Sequence, residues 1–197
     1  MKQNELRIIT LDIETEGVFT GGLPDPTKLE VTVVGAHDSE SGELTSYLRD
    51  DLPKLWPLLE RADALVGYNS DHFDIPILNK YYPGDLTRIK SIDLMKEVKS
   101  VLGRRLKLDN LAEATLGRKK TSNGLEAAKW WKQGLVEQVR EYCLADVAIT
   151  RELYDYIKKN KSVKYRDYDG VRELKIDPSQ WEVPSSDTPT LTHTLPF

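Results

Sequence analysis

The chain has 197 residues, of which 39% are hydrophobic and 30% are charged; this balance is typical of a globular protein with one core. No apolar run approaches the length of a membrane span, and the amino terminus lacks the apolar core of a signal peptide, so we expect a cytoplasmic protein with no membrane partner. The net charge of −4 argues against the large basic surface of tight duplex binders, and the single cysteine excludes an internal disulfide.

The first predicted element is a buried strand over residues 6 to 13, which runs into the sequence Leu11-Asp12-Ile13-Glu14-Thr15. Side chains alternate along a strand, so Asp12 and Glu14 project from the same face. Two carboxylates held this close repel each other unless a cation lies between them. The pair predicts a metal site at the carboxyl end of the strand, where open α/β sheets build their sites. Ordinary surface acids at a solvated strand end are the alternative.

The segment that follows alternates between short apolar runs and helical patterns. A hairpin run followed by alternating strands and helices predicts an α/β fold, in which a mixed five-stranded sheet is flanked by helices. The further strands are predicted over residues 31 to 37, 44 to 49, 64 to 68 and 88 to 93, and the helices over residues 52 to 61, 74 to 82, 94 to 102 and 108 to 116.

A second acidic motif runs from Asn69 to Asp74, after the strand that ends at residue 68. The following helix is predicted to begin near Phe73, with Pro76 in its first turn, where a missing N–H is harmless. Asp74 at this helix start is either a metal ligand or an ordinary partner of the helix dipole. Its functional weight therefore depends on the other motifs.

Asp93, in the sequence Ser91-Ile92-Asp93-Leu94, is a further acid at a predicted strand end. It is either a fifth acid of the same site or the cap of the helix that follows it.

A long helix is predicted over residues 135 to 159, because apolar residues recur there at helical spacing and no proline interrupts them. Tyr142 and Asp146 are four positions apart, so they lie on one face of the helix, beside the apolar stripe. A carboxylate that borders a buried stripe needs a partner, since burial of an unpaired charge is costly. A metal ion is one such partner, and a surface Asp next to a half-buried Tyr is the alternative.

The carboxyl-terminal part of the chain is predicted to be a hairpin followed by a tail. Apolar runs flank Asp169-Gly170, which is a strong signal for a two-residue turn. Proline, serine and threonine are frequent from residue 177 onward, and this composition predicts loose order. The predicted units are an α/β domain over residues 1 to 160, a β-hairpin appendage over residues 161 to 176 and a flexible tail over residues 177 to 197.

In order and spacing, the three acidic motifs resemble the exonuclease motifs of the DEDD superfamily of 3′–5′ exonucleases. The tyrosine at position 142 makes the chain similar to the DEDDy branch, which includes the proofreading domain of family B DNA polymerases. The resemblance covers residues 6 to about 157. It implies a ribonuclease H-like fold, two bound divalent cations, and hydrolysis of phosphodiester bonds at the 3′ end of a nucleic acid.

Carried over residue by residue, the resemblance assigns the metal ligands to four carboxylates. Asp12 is implied to bridge both cations, Glu14 and Asp146 to hold the cation of the attacking water, and Asp74 to act on the second cation. Tyr142 is implied to position that water, because tyrosine, with an ordinary pKa of about 10, is a poor base at neutral pH. The residues implied to contact the substrate are Thr15, Asn69 and Phe73.

Magnesium fits the implied site because it favours a few carboxylates together with substrate phosphate oxygens, and manganese is the expected substitute, with two ions per site. The expected substrate is single-stranded nucleic acid with a free 3′ end, with DNA favoured over RNA. An endonuclease or ribonuclease on the same fold and a non-catalytic nucleic-acid-binding module are the alternatives. Intact acids at all four positions argue against the non-catalytic module.

The apolar end of the tail, over residues 191 to 197, is a candidate docking segment for a replication or repair partner, since short peptides gain specificity from a few anchors. A dangling end without a partner is the alternative.

Overall fold

Five strands form the central sheet of the protein. In the computed structural model, which describes residues 6–17, 25–118 and 124–183, they are β1 (Ile8–Glu16), β2 (Glu30–Asp38), β3 (Leu44–Leu48), β4 (Ala64–Gly67) and β5 (Lys90–Asp93). The strand order is β3-β2-β1-β4-β5. Strand β2 is antiparallel to β1 and β3, whereas β4 is parallel to β1 and β5. The predicted mixed sheet is therefore confirmed.

Helices cover both faces of this sheet. One face packs against α1 and α2, and the other packs against α3, α4 and α6, with α5 beside α6. The helices are α1 (Leu52–Leu59), α2 (Asp74–Leu78), α3 (Leu94–Leu102), α4 (Leu108–Leu116), α5 (Gly124–Lys132) and α6 (Val136–Asn160).

The alternation of side chains along β1 divides the core into these two layers. Ile9, Leu11 and Ile13 are buried against α1 and α2, and burial of each such side chain contributes about 1.5–3 kcal/mol. Ile8, on the opposite face, is buried in the layer that includes α6. Asp12 therefore points towards α6 and away from the layer that holds Leu11 and Ile13.

Helix α6 is the longest element, with 25 residues. Its buried stripe includes Val139, Cys143 and Val147, and the helix ends at Lys161, whose φ of 53° is left-handed. The predicted range of residues 135 to 159 differs from the observed one by a single residue at each end. Across the described ranges of the chain, no helix, α6 included, has the length and hydropathy that a membrane crossing requires.

The carboxyl-terminal hairpin forms a separate two-stranded sheet of β6 (Ser162–Asp167) and β7 (Gly170–Lys175). Its turn residues are Tyr168 and Asp169, one position before the predicted Asp169-Gly170 turn. Gly170 instead pairs with Asp167 as the first residue of β7, and its φ of 133° explains why a glycine is required there. The inner side of the hairpin packs into the core layer of α4 and α6.

Residues 177 to 183 differ from the predicted tail because they pack onto this layer. Trp181 is only 4% exposed, and its ring stacks on Tyr154 of α6 with centroids 5.5 Å apart. Lys90 of β5 donates to the carbonyl oxygens of Gln180 and Val183 at 2.6 and 2.7 Å. One buried aromatic side chain thus orders a segment whose composition predicts looseness. The candidate docking segment at residues 191 to 197 lies outside the described residues.

Candidate metal centre

Two strand residues supply the first half of the site. Asp12 and Glu14 lie two positions apart on β1 and are both half-buried. Strand β1 pairs with β2 at both positions, where the register partners of Asp12 and Glu14 are Gly35 and Val33. The backbone on which the two carboxylates stand is therefore fixed inside the sheet, which limits how far they can separate.

Helix α6 supplies the second half. It crosses this face of the sheet and brings Asp146, which is buried, next to the pair on β1. One carboxylate oxygen each of Asp12, Glu14 and Asp146 lie within 4.8 Å of one another. The structure thus brings together three acids that are up to 134 positions apart in the sequence, counted as 146 − 12.

The donor set of this group fits a hard divalent cation. All three donors are carboxylate oxygens, which Mg²⁺, Mn²⁺ and Ca²⁺ prefer over nitrogen or sulfur. Opposite oxygens around an octahedral Mg²⁺ lie about 4.2 Å apart, since each Mg–O distance is about 2.1 Å. The observed spacing is therefore compatible with a single ion held between Asp12, Glu14 and Asp146.

Asp74, the first residue of α2, does not join this group within the same distance. It is 3% exposed, and burial raises its pKa to about 8, with a smaller contribution from the charge of Asp93. The backbone N–H groups of Asp74 and of Ile13 act in the opposite direction. Ile13 belongs to β1 and lies between Asp12 and Glu14 in the sequence, so the N–H that lowers the pKa of Asp74 comes from the strand of those two acids. A cation nearby favours the ionised form of such a carboxyl.

Tyr142 lies one helical turn before Asp146, on the same face of α6, and is buried. Its ring meets Trp130 of α5 edge to face, with centroids 6.1 Å apart and an angle of 73° between the rings. The ring therefore contributes to the packing of α5 on α6 whatever its hydroxyl does. Sequence spacing predicted the position of Tyr142, but not this aromatic partner.

The three predicted substrate contacts occupy different surroundings. Thr15 is buried on β1, directly after Glu14. Asn69 follows β4 with a left-handed φ of 67°, a conformation that asparagine tolerates better than most residues. Phe73 immediately precedes α2 and is half-buried against the layer of α1 and α2. Asn69 and Phe73 therefore lie in one turn, which begins at the end of β4 and ends at Asp74.

Asp93 holds this turn in place. Its carboxylate accepts hydrogen bonds from four backbone N–H groups. Two of the donors, Met95 and Lys96, belong to the first turn of α3, as expected of a helix cap. The other two are Asn69 at 2.8 Å and Asp71 at 3.2 Å. The capping interpretation of Asp93 is thus confirmed, and the link to the turn of Asn69 was missed because only the fold brings β4 and β5 together.

Cys143 lies beside the group of three acids as a buried thiol. Its Sγ atom is 3.4 Å from the carbonyl oxygen of Asp12 and 3.8 Å from Asp12 Oδ2. Burial, and then the negative charges of Asp12 and Glu14, raise the pKa of the Cys143 thiol. The thiol therefore stays protonated and behaves as a small apolar side chain within the buried stripe of α6.

Comparison with known proteins is consistent with this architecture. Residues 9–158 match the family model of the RNase H superfamily. A DNA polymerase of Archaeoglobus fulgidus is 28% identical over 179 residues, which cover 76% of this chain and 22% of the polymerase. The solved structure of the family B DNA polymerase from the hyperthermophilic archaeon Pyrobaculum calidifontis has a TM-score of 0.60 at 22% identity, and the match covers 78% of this chain and 24% of that one. The chain thus spans less than a quarter of each polymerase.

Proposed function

The chain belongs to the RNase H superfamily, and we propose that it acts as a metal-dependent 3′–5′ exonuclease on single-stranded nucleic acid. The observation that carries the proposal is the group formed by Asp12, Glu14 and Asp146, whose carboxylate oxygens lie within 4.8 Å of one another. A surface with ordinary solvated acids does not require acids from a central strand and from a crossing helix to converge. Their convergence favours cation binding.

Each residue then has a role that its position supports. Asp12, Glu14 and Asp146 would hold a divalent cation, and Asp74, buried next to β1, would contribute to a second one. When bound, a pair of such cations stabilises the entering and leaving oxygens of an in-line phosphoryl displacement. Tyr142, on the same helix face as Asp146, would orient the attacking water.

The turn from Asn69 to Phe73 would hold the terminal nucleotide. It leads directly into Asp74, and Asp93 fixes its backbone. Phe73 offers a partly exposed ring, on which a base can stack, and Asn69 offers an amide that can hydrogen-bond to the substrate. Thr15 would contact the same nucleotide from β1. A site that grips a chain end in this way would act on free ends and spare closed circles.

DNA is the substrate that we expect, because both of the relatives named above are DNA polymerases. The formal charge of −4 suits local, metal-dependent contact with a few phosphates better than binding along a duplex. The partner implied by this activity is a nucleic acid with a free 3′ end.

The test is a nuclease assay on the full chain. Labelled single-stranded DNA, single-stranded RNA, duplex DNA and a closed single-stranded circle would be incubated with Mg²⁺ or Mn²⁺, or with excess chelator. We expect stepwise shortening of linear single-stranded DNA from its 3′ end, loss of the activity in chelator, and protection by a 3′ block but not by a 5′ block. The matched control is Asp12→Asn, which should be inactive and folded.

Cleavage of the closed circle would replace the proposal with an endonuclease. Undiminished cleavage in excess chelator, or near-normal activity of Asp12→Asn, would overturn the metal site itself.

A further inference from the structure

Helix α6 packs closely against the sheet at Gly35 of β2. A Cβ atom at Gly35 would lie 2.8 Å from Val147 Cγ2 and 3.1 Å from Cys143 Sγ. Side chains in ordinary contact are about 3.5–4.0 Å apart, so even an alanine does not fit between the strand and the helix in their present positions. We call Gly35, Cys143 and Val147 together the Gly35 seat.

The seat lies directly beside the candidate metal centre. Gly35 is the register partner of Asp12 on the neighbouring strand. Cys143 and Val147 each follow a residue of the site, since Tyr142 and Asp146 come immediately before them in the sequence. Cys143 also contacts Asp12, with its Sγ atom 3.4 Å from the Asp12 carbonyl oxygen. The Gly35 seat therefore adjoins an acid in both elements. Gly35 pairs with Asp12 across the strands, and Val147 follows Asp146 in the helix.

From this arrangement we infer that Gly35 is a positioning residue, which sets the height of α6 above β1 and thereby the size of the cation that the acids accept. The inference rests on the metal site of the proposed function. Because Val147 is β-branched and has one strongly preferred rotamer in a helix, its side chain cannot turn away from an added methyl group. The helix backbone must move instead, and it carries Asp146 with it.

The movement needed is comparable to the difference between cations. Relief of a 2.8 Å contact to about 3.5 Å requires a shift of about 0.7 Å, if Val147 alone is considered. Ca–O distances exceed Mg–O distances by about 0.3–0.5 Å, and Mg²⁺ tolerates departures from octahedral geometry poorly. A raised α6 therefore penalises Mg²⁺ more than Mn²⁺, and Mn²⁺ more than Ca²⁺.

The experiment is calorimetric titration of the full chain with magnesium, manganese and calcium chloride, without substrate. Wild type would be compared with Gly35→Ala, with Val147→Ala, and with the double variant that combines them. For Gly35→Ala we expect Mg²⁺ affinity to fall by about 10- to 100-fold, the usual effect of disturbing groups around metal ligands. The ratio of Ca²⁺ affinity to Mg²⁺ affinity should rise by about tenfold or more.

The matched variants separate displacement from simple loss of stability. Val147→Ala destabilises the core but raises nothing, so it should leave the affinity ratio of wild type unchanged. In the double variant the 2.8 Å contact with Val147 is gone and the remaining approach to Cys143 Sγ, at 3.1 Å, is milder, so the ratio should return to within about threefold of wild type. Val147→Ile adds one carbon to the same contact from the side of the helix, so it should change the affinity ratio in the same direction as Gly35→Ala. This variant keeps the inference testable if Gly35→Ala does not fold.

Failure of the inference and failure of the proposed function give different results. If wild type binds the cations, and Gly35→Ala and Val147→Ile keep the affinity ratio of wild type, Gly35 does not set the distance between α6 and β1. That result would overturn the inference. If wild type binds none of the three cations, the metal site of the proposed function is wrong, irrespective of any variant.

Discussion

At the scale of single residues, Asp74 differs from the two acids of β1 in its surroundings. Asp12 and Glu14 are partly exposed, whereas Asp74 is almost completely buried, and burial raises its pKa from the ordinary 3.8 to about 8. A group with a raised pKa binds its proton more tightly in the folded chain than in the unfolded chain. Stability from this source is present in full below the unfolded pKa and is lost as the pH rises towards the folded pKa.

The first prediction concerns the pH dependence of the metal-free protein. In chelator, the free energy of unfolding of wild type should decline between about pH 4 and pH 8 relative to that of Asp74→Asn, whose amide cannot titrate. Urea unfolding of both proteins across this pH range would measure the difference. Parallel pH profiles would show that Asp74 does not carry its proton in the folded state.

The second prediction concerns the hydroxyl of Tyr142. Tyr142→Phe keeps the ring that packs on Trp130, so the melting temperature should stay close to that of wild type. If the hydroxyl orients the attacking water, the turnover number should fall by about 10²–10⁴-fold, with little change in the apparent affinity for substrate. Turnover within about threefold of wild type would limit Tyr142 to core packing.

At the scale of elements, the caps explain which boundaries could be predicted. Helices α3 and α4 begin and end where the sequence predicts, because Gly103 and Gly117 terminate them in left-handed conformations and Asp93 caps the first of them. Helix α2 ends at Leu78 instead of residue 82, since the chain turns there and the hydroxyls of Tyr81 and Tyr82 bond to Glu30 and Glu60. Such distant partners leave no periodic signal in the sequence.

The candidate site follows the same division. Spacing along β1 and α6 predicts that Asp12 and Glu14 share a face and that Tyr142 and Asp146 share another. The dual contacts of Asp93 and the close approach at Gly35 depend on which strands become neighbours. A periodic pattern within one element contains no information on which strands become neighbours. The contacts of Asp93 and the close approach at Gly35 therefore could not be predicted from the separate elements.

The third prediction concerns Asp93. Asp93→Ala removes the acceptor of four backbone N–H groups, so it should cost about 3 kcal/mol or more, the sum of a lost cap and buried N–H groups left without an acceptor. Its matched control is Asp85→Ala. Asp85 caps a short 3-10 helix at an exposed position, and its loss should cost about 1 kcal/mol.

Urea unfolding would give both free energies. Because Asp93 also fixes the turn of Asn69, binding of a short single-stranded DNA should weaken in Asp93→Ala and not in Asp85→Ala. Equal costs for the two variants would reduce Asp93 to an ordinary cap.

At the scale of the whole molecule, the chain after α6 folds back over the core. The hairpin and Trp181 cover the layer of α3, α4 and α6. Lys90 of β5 donates hydrogen bonds to the carbonyl oxygens of Gln180 and Val183, on either side of Trp181. Residues up to 183 are therefore part of the folded body, although their composition resembles that of a tail. The predicted appendage at residues 161 to 176 contributes buried side chains to the core that supports α6.

The fourth prediction tests this boundary. Trp181→Ala should cost about 3–5 kcal/mol, as expected for loss of a large buried aromatic ring, whereas Val183→Ala at an exposed position should change stability by about 0.5 kcal/mol or less.

Removal of residues 186 to 197 should leave both the melting temperature and the cleavage of short oligonucleotides unchanged. A large loss in this truncated chain would mean that the last residues belong to the folded domain.

The position of β1 in the middle of the sheet has a consequence for local unfolding of the protein. The edge strands β3 and β5 each have one neighbour in the sheet, so they can detach in partial openings that leave β1 paired with β2 and β4. Asp12 and Glu14 stand on the strand that such fluctuations reach last. Loss of a cation and loss of local structure are therefore separate events, and amide exchange along β1 should stay slow in chelator while the edges exchange freely.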